Sequence, residues 1–474
     1  MDLNPFSSSS SGKLFKMKKV RTYTGPRLFS IEGRGSHRNK SLDEPKGLAP
    51  PDGIVCDKWA VVTTIFEPTD TVREIVSLKD WCMVVVGDKK SPPDYWVPKE
   101  ERGKPAGANS KGKRTPENLV YLSAKDQERL PYSIVPHLRW NHFGRKNIGF
   151  VYAIHHGAKV IYDVDDDNTL LDPAKGPPDH LFNVINKVFD NDGKRRTDNE
   201  IDRGDDVKLV WTPSEHHVYN PYPYYDPRSA GNYSEFVWPR GFPLEFVKDR
   251  RTFDADNLER HSRKKQSGTS RISIIQSLAN HDPDVDAIYR MTRRLPVEFE
   301  RQGVVMAVPP GVFAPMNAQA ALYSREAFWG MLLPVTVHGR VSDIWRSYFT
   351  ERIMWDAGQS MSFASPFAEQ YRNPHSYLAD FESETPLYLQ AGALTSFLCR
   401  WTSNEKTIEG KLEQLIITLY EYGVLGIEDI NVNQAFLSDL ADMNYEFPAI
   451  GDSVWTGREP ITAEAVDDRR SSSD

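Results

Sequence analysis

The sequence predicts an α/β fold with a largely parallel sheet and a helical C-terminal extension. Three observations support this fold class. Short apolar runs of strand length alternate with amphipathic segments, a run of aspartates follows one of these strands, and apolar residues recur at helical spacing near the C-terminus. Because ligands of parallel sheets bind outside the carboxyl ends of the strands, the aspartates also predict where the site lies.

The first five elements alternate between strands and helices. The apolar run at residues 59–66 is typical of a buried strand, residues 69–80 have helical spacing, and residues 83–86 form a second strand. Residues 144–156 again have helical spacing, and residues 159–162 form the strand that precedes the aspartates. This alternation indicates crossover connections and therefore parallel strands.

The second half of the chain predicts further strands and then helices. Strand candidates lie at residues 271–275, 304–308 and 332–337, and a helix is expected to begin near Asp343. Beyond about Tyr388 apolar side chains recur three and four residues apart, which is typical of amphipathic helices.

The composition suggests three regions. Residues 1–50 are rich in Ser, Gly, Lys and Arg without periodicity, which predicts a disordered basic tail that is either simply solvated or contacts a membrane surface or partner. Residues 51–387 are expected to form the α/β domain. Residues 388–474 are expected to form the helical extension, with a disordered end.

Composition and charge exclude several classes of protein. The chain has 474 residues, and its apolar content of 39% is typical of a globular protein. Its formal charge of −7 argues against a nucleic-acid partner. Cys56, Cys82 and Cys399 are too few and too scattered for a disulfide framework or a cysteine zinc site, so we expect a reduced protein. No apolar run has the length of a membrane span, and the N-terminus lacks an apolar signal core.

The run Ile161-Tyr-Asp-Val-Asp-Asp-Asp-Asn168 is the strongest indication of chemistry. Clustered carboxylates repel one another unless a cation compensates them. Asp165 and Asp167 are two residues apart and point to the same side in extended geometry, so they predict a Mn²⁺ or Mg²⁺ site that also holds a diphosphate. Asp163 or Asp166 would face a ribose or support the metal ligands. The alternatives are an acidic loop and an incidental calcium site.

Basic residues open the helix that precedes this strand. Arg145 and Lys146 lie at its start, and a helix N-terminus with cationic side chains favours phosphate. We therefore expect both residues to contact the diphosphate.

The order of these signals resembles the GT-A glycosyltransferases. Their Rossmann-like nucleotide-binding half contains a basic-Asn-Gly helix, a strand and a DxD motif. By this resemblance, Asp88 matches the second-strand aspartate that contacts the base, with Thr63 and Thr64 beside the base. The alternatives are a surface turn for Asp88 and ordinary strand positions for the threonines.

Three longer segments resemble the STELLO family of GT-A-like proteins. They are Phe236-Val-Trp-Pro-Arg-Gly-Phe-Pro-Leu-Glu245, residues 276–290 and residues 339–349. A fainter likeness to the UDP-arabinopyranose mutases rests on the triple aspartate, Arg240-Gly-Phe-Pro243 and Asp343-Ile-Trp345. Plant STELLO proteins have an N-terminal membrane anchor that is not present in this sequence. The expected location is therefore cytoplasmic or peripheral to the Golgi, and a glycan-synthase partner remains open.

Residues of the second half are candidates for the sugar end of the site. The resemblance to retaining GT-A enzymes such as the exostosins places Asp343 near the reacting sugar, where it would orient or deprotonate an acceptor hydroxyl. The alternative is a helix N-cap formed with Ser342. Arg340 would hold phosphate or sugar hydroxyls, or else form a surface ion pair.

Two more candidate site residues each have a structural role as the alternative to ligand binding. Arg240 lies among aromatic residues that would form either a sugar-binding wall or core packing. Asp286 would contact the donor sugar or cap the helix that follows it.

Together, these residues predict a glycosyltransferase that uses a nucleoside-diphosphate sugar, most simply a UDP-sugar, and an unknown glycan or protein acceptor. One alternative is a nucleotide-sugar mutase or self-glycosylating protein. Another is a non-catalytic GT-A scaffold for a glycan synthase, which should tolerate alanines at Asp165 and Asp167. The identity of the sugar and the oligomeric state are left open by the sequence.

Overall fold

The protein was analysed as a computed structural model, which describes residues 6–7, 16–30, 48, 52–93, 95–96, 115–186, 207–254, 270–373, 375–451 and 455–460. Within these residues, thirteen strands form one mixed sheet and two short strands form a separate pair. The strands are β1 Phe6–Ser7, β2 Lys16–Met17, β3 Lys58–Thr63, β4 Cys82–Val86, β5 Leu119–Leu122, β6 Val160–Val164, β7 Asn168–Leu170, β8 Lys208–Trp211, β9 Pro227–Ser229, β10 Tyr233–Ser234, β11 Arg271–His281, β12 Val297–Phe299, β13 Val304–Ala307, β14 Ala320–Ser324 and β15 Gln359–Gln370.

Helices cover the sheet and form most of the C-terminal part. They are α1 Asp70–Val76, α2 Ala124–Gln127, α3 Lys146–His155, α4 Leu181–Asn186, α5 Ala287–Thr292, α6 Gly339–Asp356, α7 Tyr377–Arg400, α8 Ile408–Glu421 and α9 Ile427–Asp442. The α/β fold class with C-terminal helices is therefore confirmed.

The parallel part of the sheet has the order β6-β3-β4-β5. Alternate side chains of its strands point to opposite faces, so Val61 packs into the core that contains α3 while Val62 packs into the core beside α1. Gly149 lets α3 approach the sheet closely, because a Cβ there would lie 2.5 Å from Val61 Cγ1. This arrangement brings the carboxyl ends of β3, β4 and β6 to one edge.

The second half of the sheet is mixed rather than parallel. β14 joins β6 and β11 in antiparallel pairing, whereas β11 and β15 run parallel to each other. The strand predicted at residues 271–275 continues to His281, six residues further. The prediction of a strand at residues 332–337 is wrong, because this segment is an irregular connection between a 3₁₀ turn and α6.

Helix α6 is buried along nearly its whole length and carries the residues at the second end of the site. It begins at Gly339, where the His338 side chain accepts a hydrogen bond from the Arg340 backbone N–H. Asp343 therefore lies in the second turn, and the alternative that Ser342 and Asp343 cap this helix is wrong.

Part of the segment predicted to be a disordered tail instead lies against the C-terminal helices. The backbone N–H groups of Leu28 and Phe29 donate to the Glu413 carboxylate at 2.7 and 2.9 Å, and Val20 N–H donates to the Glu421 carbonyl. The expected domain boundary at residue 388 falls inside α7. The helical extension is therefore continuous with the α/β domain.

The cysteines differ from the sequence-based expectation. Cys56 and Cys82, 26 residues apart in sequence, form a disulfide with their Cα atoms 6.2 Å apart. Cys82 begins β4 opposite Trp59 of β3, and Cys56 lies just before β3, so parallel pairing of these strands brings the cysteines close together, which their spacing in the sequence did not reveal. Cys399 is a buried free thiol.

Candidate active site

A cavity of about 440 Å³ opens at the edge where the parallel strands end. Its size is within the range of ligand-binding clefts. Its wall consists of Thr63, Thr64, Ile65, Phe66, Asp88, Lys90, Asn141, His142, Phe143, Asp165, Asp166, Asp167, Arg240, Asp284, Arg290, Gln319, Arg340, Asp343, Gln370 and Arg372. Residues predicted from strand ends and from α6 therefore meet in one cavity.

One end of the cavity is formed by the loops after β3 and β4. Thr63, Thr64 and Asp88 all line it. The loops are linked through Ser91, whose hydroxyl donates to the Thr64 carbonyl at 2.6 Å and accepts from the Asp88 N–H at 2.7 Å. The Asp88 carboxylate accepts a hydrogen bond from the Lys89 N–H, so its orientation is held locally.

Asp163, the first aspartate of the run, lies inside the protein rather than on the cavity wall. Its carboxylate is fully buried between the Lys146 ammonium at 2.6 Å and the Arg346 guanidinium at 2.7 Å. It is therefore not directed toward a ribose in the cavity. Instead, Asp163 anchors the two buried cations behind the acidic run.

The other three aspartates line the cavity. Asp166 accepts a hydrogen bond from the Thr64 hydroxyl, and Asp167 accepts one from the Gln370 amide at 2.9 Å. Burial raises the pKa of the Asp165 carboxyl to about 7, against the opposing effect of Lys146. Burial also raises the pKa of Asp166 and of Asp167.

The acidic run has more negative charge than its partners neutralise. Within the described residues, only Asp163 and Asp165 of its four carboxylates form ion pairs, and they share two cations, Lys146 and Arg346. The carboxylates of the run therefore outnumber their paired cations by two. No set of three or more His, Cys, Asp and Glu side chains in the described part of the chain is arranged to hold a metal alone. Hard cations such as Mg²⁺, however, are commonly held by two carboxylates together with substrate phosphates, and Asp165 and Asp167 fit that role.

The two basic residues at the start of α3 are not on the cavity wall. Lys146 is fully buried, and its ammonium also donates to the Val164 carbonyl at 2.8 Å. The Arg145 guanidinium points away, bonded to Gln127 Oε1 and stacked 3.5 Å from the centre of the Trp140 ring. Neither side chain is placed to contact a diphosphate. Lys146 acts by neutralising the acidic run, and Arg145 packs the loop before α3.

A buried ion-pair network forms the opposite end of the cavity. The Arg240 guanidinium bonds both oxygens of Asp284 at 2.8 and 2.9 Å and both oxygens of Asp343 at 2.7 and 3.1 Å. Burial alone would lower the pKa of Arg240, but Asp284 and Asp343 outweigh burial and raise it well above its ordinary value. Arg240 and Asp343 both line the cavity, as the sequence predicted, but as one charged unit.

The remaining predicted residues differ in their placement. Arg340 lines the cavity and pairs with Glu384 of α7. Asp286 is not on the wall, because it caps α5 through the Tyr289 N–H and accepts from the Trp238 indole at 2.7 Å. For Asp286, the alternative of a helix cap is therefore the one observed.

Several wall residues had not been singled out from the sequence. Arg290 lies in α5, Gln319 just before β14, Gln370 at the end of β15 and Arg372 two residues further on, and none of them has a local motif of its own. Gln319 and Gln370 are joined by a hydrogen bond of 2.6 Å. Tertiary structure, including the pairing of β14 with β6 and of β15 with β7, brings these side chains beside the aspartates.

Comparison with known proteins gives a family resemblance. The family described as STELLO glycosyltransferases matches residues 340–471. The chain is 29% identical over 399 residues to "Probable glycosyltransferase STELLO2" of Arabidopsis thaliana, covering 83% of this chain and 46% of that protein. It is 28% identical over 411 residues to "Probable glycosyltransferase STELLO1" of the same plant, covering 86% and 47%. The resemblance predicted from the motifs is confirmed, and the chain spans about half the length of these curated relatives. Among the described helices, none is long and apolar enough to cross a membrane.

Proposed function

We propose that this relative of the STELLO glycosyltransferases transfers a glycosyl group from a nucleoside-diphosphate sugar, with Mn²⁺ or Mg²⁺ bound at the acidic run. The observation that carries the proposal is that one cavity is lined by Asp165 and Asp167, by residues at the ends of β3 and β4, and by the Arg240 network. A nucleoside would bind beside Thr63 and Asp88, its diphosphate at the aspartates, and the sugar near Arg240.

Asp165 and Asp167 would hold the cation and, through it, the diphosphate. A bound divalent cation would stabilise the charge that develops on the departing nucleoside diphosphate. The reaction breaks the bond between the anomeric carbon and the diphosphate oxygen and forms a bond to an acceptor oxygen, which loses its proton. Lys146 limits the repulsion among the aspartates through its pairs with Asp163 and Asp165.

Asp343 is best described as a positioning residue. Both of its oxygens accept hydrogen bonds from Arg240, and Oδ2 also lies 3.3 Å from the Ala318 N–H. The hydrogen bonds to Arg240 engage both oxygens of this carboxylate and fix its orientation. We therefore assign Asp343 the role of holding Arg240, together with Asp284, as one fixed charged unit at the sugar end of the cavity.

Calorimetric titration tests the donor site. UDP and UDP-sugars are titrated with and without Mn²⁺ into the wild type, the Asp165→Ala/Asp167→Ala variant and an Asp57→Ala/Asp172→Ala control. Asp57 and Asp172 are exposed carboxylates outside the cavity, so the control removes the same charge elsewhere. The expected result is Mn²⁺-dependent binding that is lost in the first variant and kept in the control. A folded wild type that binds no nucleotide would refute the proposal and favour a scaffold.

A further inference from the structure

Three guanidinium groups form one part of the cavity wall beside the acidic run. Arg290 belongs to α5, Arg340 to α6, and Arg372 follows β15. Arg372 is two residues after Gln370, whose amide bonds Asp167, so this arginine cluster borders the proposed diphosphate position. Because the three residues are about 30 to 80 positions apart in the sequence, their convergence is a product of the fold.

The carboxylates that pair with the cluster lie behind it. Arg290 pairs with Asp282, Arg340 with Glu384, and Arg372 with Asp380 at 3.3 Å. Asp282, Asp380 and Glu384 are absent from the cavity wall formed by the described residues, whereas all three arginines line it. The cluster is therefore close to neutral as a whole, but it presents its cationic side to the cavity.

The guanidinium of Arg372 is only partly paired. Its partner Asp380 is shared with His375 at 2.8 Å and with Arg340 at 3.5 Å. Its Nη1 atom is buried and has no hydrogen-bond acceptor within the part of the chain that the structure describes. Burial, together with the charges of Arg290 and Arg340, lowers the pKa of Arg372 to about 10. A buried guanidinium N–H without an acceptor is costly, and an oxyanion would satisfy it.

We propose that the arginine cluster binds a second anionic group, a carboxylate or a phosphate, in addition to the diphosphate of the donor. This inference rests on the proposed function, in which the divalent cation at Asp165 and Asp167 neutralises the diphosphate. The guanidinium N–H groups that no acceptor in the protein engages, such as those of Arg372 Nη1, are then available to another oxyanion. The substrate class is thus either a nucleotide sugar whose sugar is a uronate or an acceptor that bears a phosphate.

Titrations in saturating Mn²⁺ test the cluster directly. UDP, UDP-glucose and UDP-glucuronate are compared on the wild type, Arg372→Gln and the control Arg271→Gln, whose arginine is exposed and pairs with Glu326 away from the cavity. For a uronate donor, the wild type should bind UDP-glucuronate at least about tenfold more tightly than UDP-glucose. Arg372→Gln should abolish that preference while leaving the affinity for UDP unchanged. Arg372→Lys keeps the positive charge but not the planar guanidinium group, so it should retain part of the preference for UDP-glucuronate.

A second titration identifies an anionic acceptor. Glucose 6-phosphate is added to the wild type saturated with UDP and Mn²⁺, and binding that Arg372→Gln loses would assign the oxyanion to the acceptor. Equal binding of the two nucleotide sugars, with no binding of glucose 6-phosphate, would overturn the inference. The inference would also be overturned by an Arg372→Gln variant that is folded by circular dichroism and weakens the binding of UDP as much as that of UDP-glucuronate. In that case the cluster would hold the donor diphosphate.

Absence of UDP binding in the wild type would instead count against the proposed function. In that case, glucose 6-phosphate binding that depends on Arg372 would still support the anion site.

Discussion

Replacing Arg240 with methionine should destabilise the protein strongly, because two buried carboxylates lose their shared partner. The guanidinium donates four hydrogen bonds of 2.7 to 3.1 Å to Asp284 and Asp343. Removing one partner of a buried ion pair costs about 3–5 kcal/mol. We therefore expect the free energy of unfolding at pH 7 to fall by about this amount. The matched control Arg139→Met breaks an exposed pair with Glu428 and should cost about 0–1 kcal/mol.

The pH dependence of this loss provides a second test. Burial alone would raise the pKa of Asp284, but Arg240 outweighs burial and lowers it in the folded protein. The ion pair therefore stabilises the folded protein at pH values above the pKa of an unfolded aspartate, about 4. This stabilisation is lost as the pH falls through the lower pKa that Asp284 has in the folded protein. Without Arg240, burial instead favours the protonated carboxyl. The difference between Arg240→Met and the wild type should therefore narrow as the pH is lowered from 7 toward 5.

Urea denaturation followed by tryptophan fluorescence at pH 5 and pH 7 measures both effects. Adding Asp284→Asn to Arg240→Met should recover part of the lost free energy, because it removes one uncompensated charge. A loss below about 1 kcal/mol at pH 7, or a loss that does not change with pH, would refute the reasoning.

Two further predictions concern packing and titration outside the cavity. Gly149→Ala should destabilise the protein by about 1–3 kcal/mol, because its Cβ would lie 2.5 Å from Val61 Cγ1 and 2.8 Å from Val86 Cγ2; an unchanged urea midpoint would contradict this. Burial raises the pKa of Asp439 to about 6, so the wild type should lose about 2–3 kcal/mol of stability as the pH rises from 4 to 6, and Asp439→Asn should lack this loss. Thermal denaturation of both proteins at pH 4.5 and 7 measures the difference, and parallel pH profiles would count against it.

The sequence alone was sufficient for the elements whose signals are local. Strands β3, β4 and β6 and helix α3 were found from the apolar pattern, since alternation and helical spacing depend only on neighbouring residues. The position of the acidic run at a strand end followed in the same way. The segment at residues 332–337 was mistaken for a strand because its apolar side chains are buried by α6 and the C-terminal helices, which produces the same pattern.

Tertiary structure decided which predicted residues reach the cavity. Asp163 and Asp165 belong to the same run, yet Asp163 faces Lys146 and Arg346 in the core whereas Asp165 faces the cavity. Arg145 opens the helix as predicted, but the Trp140 ring and Gln127 draw its side chain away. The direction of a side chain depends on the partners that packing places around it, and those partners are distant in the sequence.

The charged end of the site illustrates the same limit. Arg240, Arg290, Arg340 and Arg372 are each separated by about 30 to 50 residues, and the sequence offered only Arg240 and Arg340 as candidates. Antiparallel and parallel pairing around β11 and β15, together with the packing of α6 on α7, brings them to one wall. The sequence by itself therefore determined the class of fold and the acidic centre of the site. The charged surroundings of that centre were decided by long-range strand pairing and helix packing, because only these contacts determine which distant side chains share a buried space.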